Sequence, residues 1–242
     1  MKLEANPGRE LYSEVDGKKY IRIPIETHFI DIGESLEEIV NKYATPKVEP
    51  GDIFCVSCKI VSITTKGLTV KDSDVWISPL ARLIVRFVKK WPNDIGYSSP
   101  RKMQVAINRA GYPRIFFALV IGTILKLIGK PGYFYRLAGN QINAIDGFTV
   151  GFTDKEIFAK NAFLPPRPKQ GIEIANRLEK IVNVPVAIID GNNIENNIIS
   201  MSGSLNQMYE EETLKRVLHG NPQGQEDDGK NTPMLIVREI QN

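Results

Sequence analysis

The segment from Val184 to Asn193 reads Val-Pro-Val-Ala-Ile-Ile-Asp-Gly-Asn-Asn, and it constrains the fold more than any other stretch of the chain. An unbroken aliphatic, β-branched run that stops abruptly in polar residues is the pattern of a strand buried on both faces and covered by helices. The preceding residues agree. Gly171 to Val182 has helical spacing, with Ile172, Ala175, Leu178 and Ile181/Val182 on one face, so helix and strand form an αβ unit. Ligands of open α/β sheets collect outside the carboxyl ends of the strands, which places Asp190 at a chemically useful edge. Gly191 lets the backbone turn sharply and come close to a ligand. An ordinary Asp-Gly turn accounts for the same two residues. Two further polar termini elsewhere in the chain favour a site.

The first of these ends a second apolar run. Pro50-Gly51-Asp52 turns the chain into Ile53–Ser62, read as a central strand, whose end is Ser62-Ile63-Thr64-Thr65-Lys66-Gly67. The other is Gly220 to Pro233, between a helix at Glu210–His219 and a last strand at Met234–Val237. Tyr20–Ile25 alternates as a strand and is followed by a Glu26-Thr27-His28 loop. Leu36, Ile39, Val40 and Tyr43 share a helical face within Ser35–Tyr43. Ser99-Pro100 opens a helix that runs to about Ala110 and is stopped by Gly111 and Pro113. Pro79–Trp91 reads as a basic amphipathic helix with Arg82, Arg86 and Lys89/Lys90 on one side. Such a helix admits a membrane surface or an anionic ligand, but a solvated face is the simpler account. Ile115–Leu125, bracketed by Arg114 and Lys126, falls short of the ~18 apolar residues of a membrane span and is expected to be a buried helix. Residues 148–169 are loop-rich, with Pro165-Pro166-Arg167-Pro168 as a rigid connector rather than a domain linker.

Composition narrows the function classes. With 242 residues and 42% hydrophobic content, the chain can bury a core in one domain of one or two lobes. A net charge of +3 calls for no nucleic-acid partner. Two cysteines, Cys55 and Cys58, rule out a disulfide scaffold and suit a reducing cytoplasm. The first twenty residues are charged and lack the apolar core of a secretory signal.

Two apparent motifs fail on chemistry. Gly224–Asn231 nearly spells a phosphate-binding loop, but Asn231 stands where a hydroxyl should meet magnesium. Glu226, Asp227 and Asp228 would also face the phosphates, and the loop precedes a strand instead of a helix. An acidic, glycine-flanked loop suits cations better. The Cys55/Cys58 pair has no second pair to complete a zinc site, and His28 and His219 are the only histidines. Inside a strand its side chains would diverge, so buried free thiols are expected. Nothing marks a nucleophilic elbow. The remaining chemistry-bearing groups are oxygen donors: Asp146, Asp190, Gln225, and Glu226 or Asp228. Such hard ligands suit magnesium or manganese, which commonly bind and polarise phosphates.

Four segments, taken in order, resemble the coenzyme F420-0:L-glutamate ligases (F420-0:gamma-glutamyl ligases), more closely a divergent bacterial branch of that family. Gly51-Asp52 with the strand and Lys59-Ile60-Val61-Ser62 resembles the first nucleotide-contacting strand. Asn143-Ala144-Ile145-Asp146-Gly147 is similar to the Asn-Ala-Gly-Ile-Asp segment whose aspartate binds metal. Val186–Asp190 resembles the strand ending in the second metal-binding aspartate. Asn221-Pro222-Gln223-Gly224-Gln225, with Thr232-Pro233 and the final strand, resembles the closing nucleotide and metal loop. Two positions depart from the family pattern. Ile63 replaces a nucleotide-contacting lysine, and Gly191 replaces a metal-assisting hydroxyl residue, for which Asn192 is a candidate substitute.

The resemblance implies a single α/β domain over residues 1–242, of mixed sheets covered by helices, F420-0:glutamate ligase-like. It implies a cytoplasmic, homodimeric enzyme of coenzyme F420 biosynthesis that uses GTP and magnesium or manganese to join a small-molecule carboxylate to L-glutamate. No nucleic acid and no membrane span are expected. The expected metal ligands are Asp146, Asp190 and Gln225, with the two aspartates sharing a site. Thr27, His28, Lys59, Ser62 and Gly224 are the candidates for nucleotide contact, and no catalytic acid, base or nucleophile is assigned. The alternative is a non-catalytic relative that binds a nucleotide or a flavin-like ligand.

Overall fold

The computed structural model describes residues 4–88, 97–130, 132–139, 142, 144–149, 156–191, 196–224 and 230–240. The chain divides into two compact units, Met1–Lys66 with Pro166–Asn242, and Gly67–Pro165. The proline run at 165–168, expected as a connector within one domain and not as a linker between domains, instead carries the second boundary between the units.

Elements are numbered along the chain. The first unit is built on a mixed six-stranded sheet of β1 (Tyr12–Val15), β2 (Lys18–Ile25), β3 (Ile53–Ser57), β7 (Val186–Gly191), β8 (Asn196–Met201) and β9 (Met234–Ile240). The spatial order is β1-β2-β9-β3-β7-β8, and only β3 and β7 run parallel. The centre is dry, as the aliphatic runs require: Phe54, Cys55 and Val56 of β3 and Val186–Ile189 of β7 are fully buried. One face of the sheet, carrying Ile53, Cys55, Ala187, Ile189, Leu235 and Val237, packs against Leu205, Leu214 and Val217. Those three belong to α9 (Gly203–Met208) and α10 (Glu211–Val217). Strand alternation turns Phe54, Val56, Val186 and Ile188 to the other face. Here α2 (Cys58–Thr64) and α8 (Pro168–Val182) contact β7, and α1 (Leu36–Tyr43) contacts α8. Helices on a mixed sheet are thus the architecture of this unit.

The sequence expectation fails at the end of β3. The strand stops at Ser57, not Ser62, because Ser57 caps a helix: its hydroxyl accepts the Lys59 N–H at 3.3 Å. Ile60, Val61 and Ile63 have strand-like side chains but are buried on a helix. In α8 the buried stripe is Gly171, Ile174, Ala175, Leu178 and Val182, while Ile172 lies exposed. The helix starts three residues earlier than expected, with Pro168 in its first turn.

A buried ion pair closes the sheet at the far side. Asp52, 1% exposed, accepts two hydrogen bonds from Arg238 of β9 at 2.7 and 2.8 Å and one from the Glu49 N–H at 2.7 Å. Asp52 is therefore a structural lock on the turn into β3.

The second unit holds a small antiparallel sheet of β4 (Thr69–Lys71), β5 (Asp146–Gly147) and β6 (Asn161–Phe163), in the order β4-β6-β5. Its helices are α3 (Pro79–Ile84), α4 (Pro100–Ala110), α5 (Tyr112–Leu127), α6 (Tyr133–Ala138) and α7 (Glu156–Lys160). The basic helix expected over 79–91 is short. α3 ends at Ile84, 85–88 are turn, and 89–91 lie outside the described residues. The segment expected to be a buried helix is only half so: Ile115, Ala118 and Gly122 of α5 are buried, whereas Phe116, Phe117, Val120 and Ile124 are exposed. Among the described residues no single helix is long and apolar enough to cross a membrane; α4 and α5 together reach that length and hydropathy but meet at a bend of 115°.

Candidate functional site

The register of the first sheet brings several sequence-selected residues to one end. β3 and β7 run parallel, with Ser57 opposite Ile189, so their carboxyl ends coincide. β2 ends there too, because Ile25 pairs with Met234 at the start of antiparallel β9. Asp190 lies at the end of β7, Lys59 in the first turn of α2 just after β3, and Thr27-His28 just after β2. Two backbone bonds lace the strand ends to the segment before β9: Thr27 N–H to Asn231 at 2.8 Å, and Ser57 N–H to Pro233 at 2.8 Å. A cleft of about 370 Å³ lined by Met201, Asn206, Met208 and Glu211 lies elsewhere, since Met201 pairs with Ala187, at the opposite end of β7 from Asp190.

The turn at 221–224 is held from inside the protein. The Asn6 amide donates to the carbonyls of Pro222 and Gln223 at 3.2 and 2.8 Å and to the Thr232 hydroxyl at 3.0 Å. Thr232 in turn donates to the Gln223 carbonyl at 2.7 Å. Gly224 closes the turn, its N–H bonding the Asn221 carbonyl at 3.0 Å. Asn6, in what reads as a polar lead-in, gives no sequence signal of this role.

Gly191 now has a physical reason. A Cβ at this position would stand 2.6 Å from the Oδ1 of both Asn196 and Asn221, so a side chain there has no room. Both amides are deeply buried, at 2% and 0% exposure. Their orientation is set by their donors: Asn196 Nδ2 bonds the Leu218 carbonyl at 2.7 Å and Asn221 Nδ2 the Gly224 carbonyl at 2.9 Å. The two Oδ1 atoms therefore converge on one point, and among the described residues neither has a hydrogen-bond partner. Paired, unsatisfied hard oxygens are what a cation, a water or a ligand N–H would complete. Alternation along β7 puts Asp190 on the other face from this point, the face covered by α2 and α8. Asn192, the candidate substitute for the hydroxyl residue, lies outside the described residues. Asn196 gives no sequence signal, and Asn221 stands in the sequence only within the segment that resembles the closing loop, with no role of its own.

The other candidates are placed as follows. Thr27 is buried, and its hydroxyl donates to the His28 carbonyl at 2.8 Å. His28 is exposed, with Nδ1 2.8 Å from the Tyr43 hydroxyl and Nε2 2.6 Å from Glu34. The Asp31 N–H, and to a smaller extent His28, hold the Glu34 carboxyl below its usual range. Ser62 is buried in α2, its hydroxyl donating to the Cys58 carbonyl at 2.8 Å. Ile63, where the family pattern has a lysine, is 3% exposed. Cys58 opens α2 instead of lying in a strand, but both cysteines are buried and neither is in a disulfide, and burial pushes Cys55 up to about 12.

Asp146 belongs to the second unit and Asp190 to the first. In its own unit Asp146 pairs with Phe163, and its Oδ1 accepts the Gly147 N–H at 2.7 Å. Gly147 is obligatory there: with φ of 91°, a Cβ would fall on the Asn161 carbonyl. Gln225, Glu226 and Asp228 lie outside the described residues. No group of three or more His, Cys, Asp or Glu side chains able to hold a metal occurs among the described residues. Neither a family model nor a curated protein matches the chain.

Proposed function

We propose that the protein is a nucleotide- and metal-dependent ligase that forms an amide bond between a small-molecule carboxylate and L-glutamate. The observation that carries this reading is the gathering of Asp190, Lys59, Asn221 and the laced 231–233 segment at the coincident carboxyl ends of β3 and β7. Strand ends of this kind are where α/β proteins hold phosphorylated ligands. Asp190 supplies the anionic oxygens that a magnesium or manganese ion requires, and Lys59 a positive charge for phosphate oxygens. Such an ion, when bound, neutralises the nucleotide oxygens as charge develops. In the overall reaction the γ-phosphoryl of GTP passes to the carboxylate, leaving GDP and an acyl phosphate. The glutamate amine then attacks the acyl carbon, phosphate departs, and the amine loses a proton.

The buried Ile63 favours a second reading. Without the lysine of the family pattern, the same strand ends would bind a nucleotide or flavin-like ligand without turnover. Thermal-shift measurements with GTP, ATP and manganese, followed by a GTP turnover assay with carboxylate acceptors and L-glutamate, separate the two. The ligase reading expects GTP and manganese together to raise the melting temperature beyond either alone, with GDP released. Stabilisation without turnover assigns the binding relative, and no shift with any combination contradicts both.

A further inference from the structure

Helix α5 is apolar on all sides, and a soluble core covers only one of them. At about 100° per residue, Phe116, Phe117, Val120, Ile124, Leu127 and Ile128 all fall within an arc of about 120°. Every one is exposed, Phe116 and Phe117 at 56% and Leu127 at 83%. Ile115, Ala118 and Gly122 occupy the opposite side and are buried; Gly122 faces α6 so closely that a Cβ would meet the Phe134 backbone at 2.9 Å. A continuous open face of this kind marks a binding surface.

Charge says what covers it. Residues 79–145 contain 11 of the chain's 31 Lys and Arg but one of its 28 acidic residues, Asp94. That segment is therefore net +10 and the rest of the chain, with 20 basic and 27 acidic residues, net −7. Lys126 and Lys130 stand exposed at the end of α5, beside Leu127 and Ile128. A second copy docking through this face would bring together two segments that each carry a net charge of +10. An anionic bilayer satisfies both features, since aliphatic and aromatic side chains enter the acyl boundary while lysines meet the headgroups. With 16 residues, α5 is about 24 Å long, short of the ~30 Å hydrocarbon core, so it suits the interface plane and not a span. We propose that the open face of α5 docks the protein onto the surface of anionic phospholipid membranes. The proposal is independent of the ligase reading.

Co-sedimentation of the full chain with vesicles of phosphatidylcholine alone, or with a quarter phosphatidylglycerol, tests it. Preferential binding to the anionic vesicles, weakened by salt, is expected. The triple variant Phe117→Ser, Ile124→Ser, Leu127→Ser alters exposed positions, so it should keep the circular dichroism melt of the parent while losing at least about tenfold in vesicle affinity. Lys126→Glu with Lys130→Glu should lose the anionic preference, by roughly fivefold or more per lysine. Absence of the parent from both vesicle pellets overturns the proposal, as does undiminished binding of the serine variant. A dimer that the serine variant dissociates, without vesicle binding, assigns the face to a second copy. Binding of single-stranded RNA that the serine variant retains, again without vesicle binding, assigns the charge to nucleic acid; either result overturns it.

Discussion

The first unit buries Asn6, Arg22, Asp52, Asn196 and Asn221, whereas the second leaves Phe116, Phe117, Ile124 and Leu127 in solvent. Neither arrangement is cheap. A buried polar group left without a partner costs about 1–3 kcal/mol, and an exposed large apolar side chain forgoes about 1.5–3 kcal/mol of burial. In the first unit most of that cost is met by bonds to backbone that no helix or sheet would otherwise satisfy. The Arg22 guanidinium alone donates to the carbonyls of Val217, His219, Glu10 and Tyr12, and burial pulls its pKa down from the ordinary arginine range. Polar burial there holds the segments around one sheet end in place. Among the described residues the apolar exposure in the second unit has no such compensation, and the proposed membrane surface would supply it.

The comparison breaks most readily at Asp52. Asp52→Ala leaves the partly buried Arg238 with Glu49 as its acidic partner and removes the acceptor of the Glu49 N–H, and should lower stability by about 1.5–3 kcal/mol, read as a fall in urea midpoint. A near-neutral result would mean that buried polar groups in the first unit are incidental. Gly191→Ala comes next. Its methyl would press on both amide oxygens, and a loss of about 1–3 kcal/mol in thermal unfolding is expected; a neutral change would show that Asn196 and Asn221 are free to retreat. Cys55 has no effect of this kind near neutral pH, and it tests the dry sheet centre. Burial raises its pKa from 9.0 to about 12, so above pH 9 the unfolded chain releases a proton that the folded chain keeps. Stability should therefore fall as pH rises from 9 towards 12, by about 1.4 kcal/mol per unit from this group. Cys55→Ala should remove that slope, and Cys55→Ala with Cys58→Ala should leave metal binding and any ligase activity intact.

The strand at 186–191 was legible because a β-branched run between a helix and a turn has few alternatives. The end of β3 was not, because Ile60, Val61 and Ile63 suit a strand as well as they suit a helix packed on one. Only the cap at Ser57 decides between them. α5 misled for a related reason: an apolar run shows that a helix wants cover, not whether its own chain supplies it. Of the residues gathered at the strand ends, Asp190 and Lys59 stand out in the sequence, Lys59 as part of a strand and not of a helix. Asn6 and Asn196 were invisible because their side chains bond partners 217 and 22 positions away in sequence.

The central claim is that the strand-end carboxylate of β7 holds a metal for phosphoryl transfer, and Asp190→Asn tests it most directly. Asn keeps the shape and the turn-forming ability of Asp and removes only the charge. Manganese affinity by calorimetry should fall by more than about tenfold, and GTP turnover should fall with it, while the melting temperature stays near that of the parent. Unchanged manganese affinity and turnover in a folded variant would make Asp190 an ordinary turn residue and contradict the ligase reading.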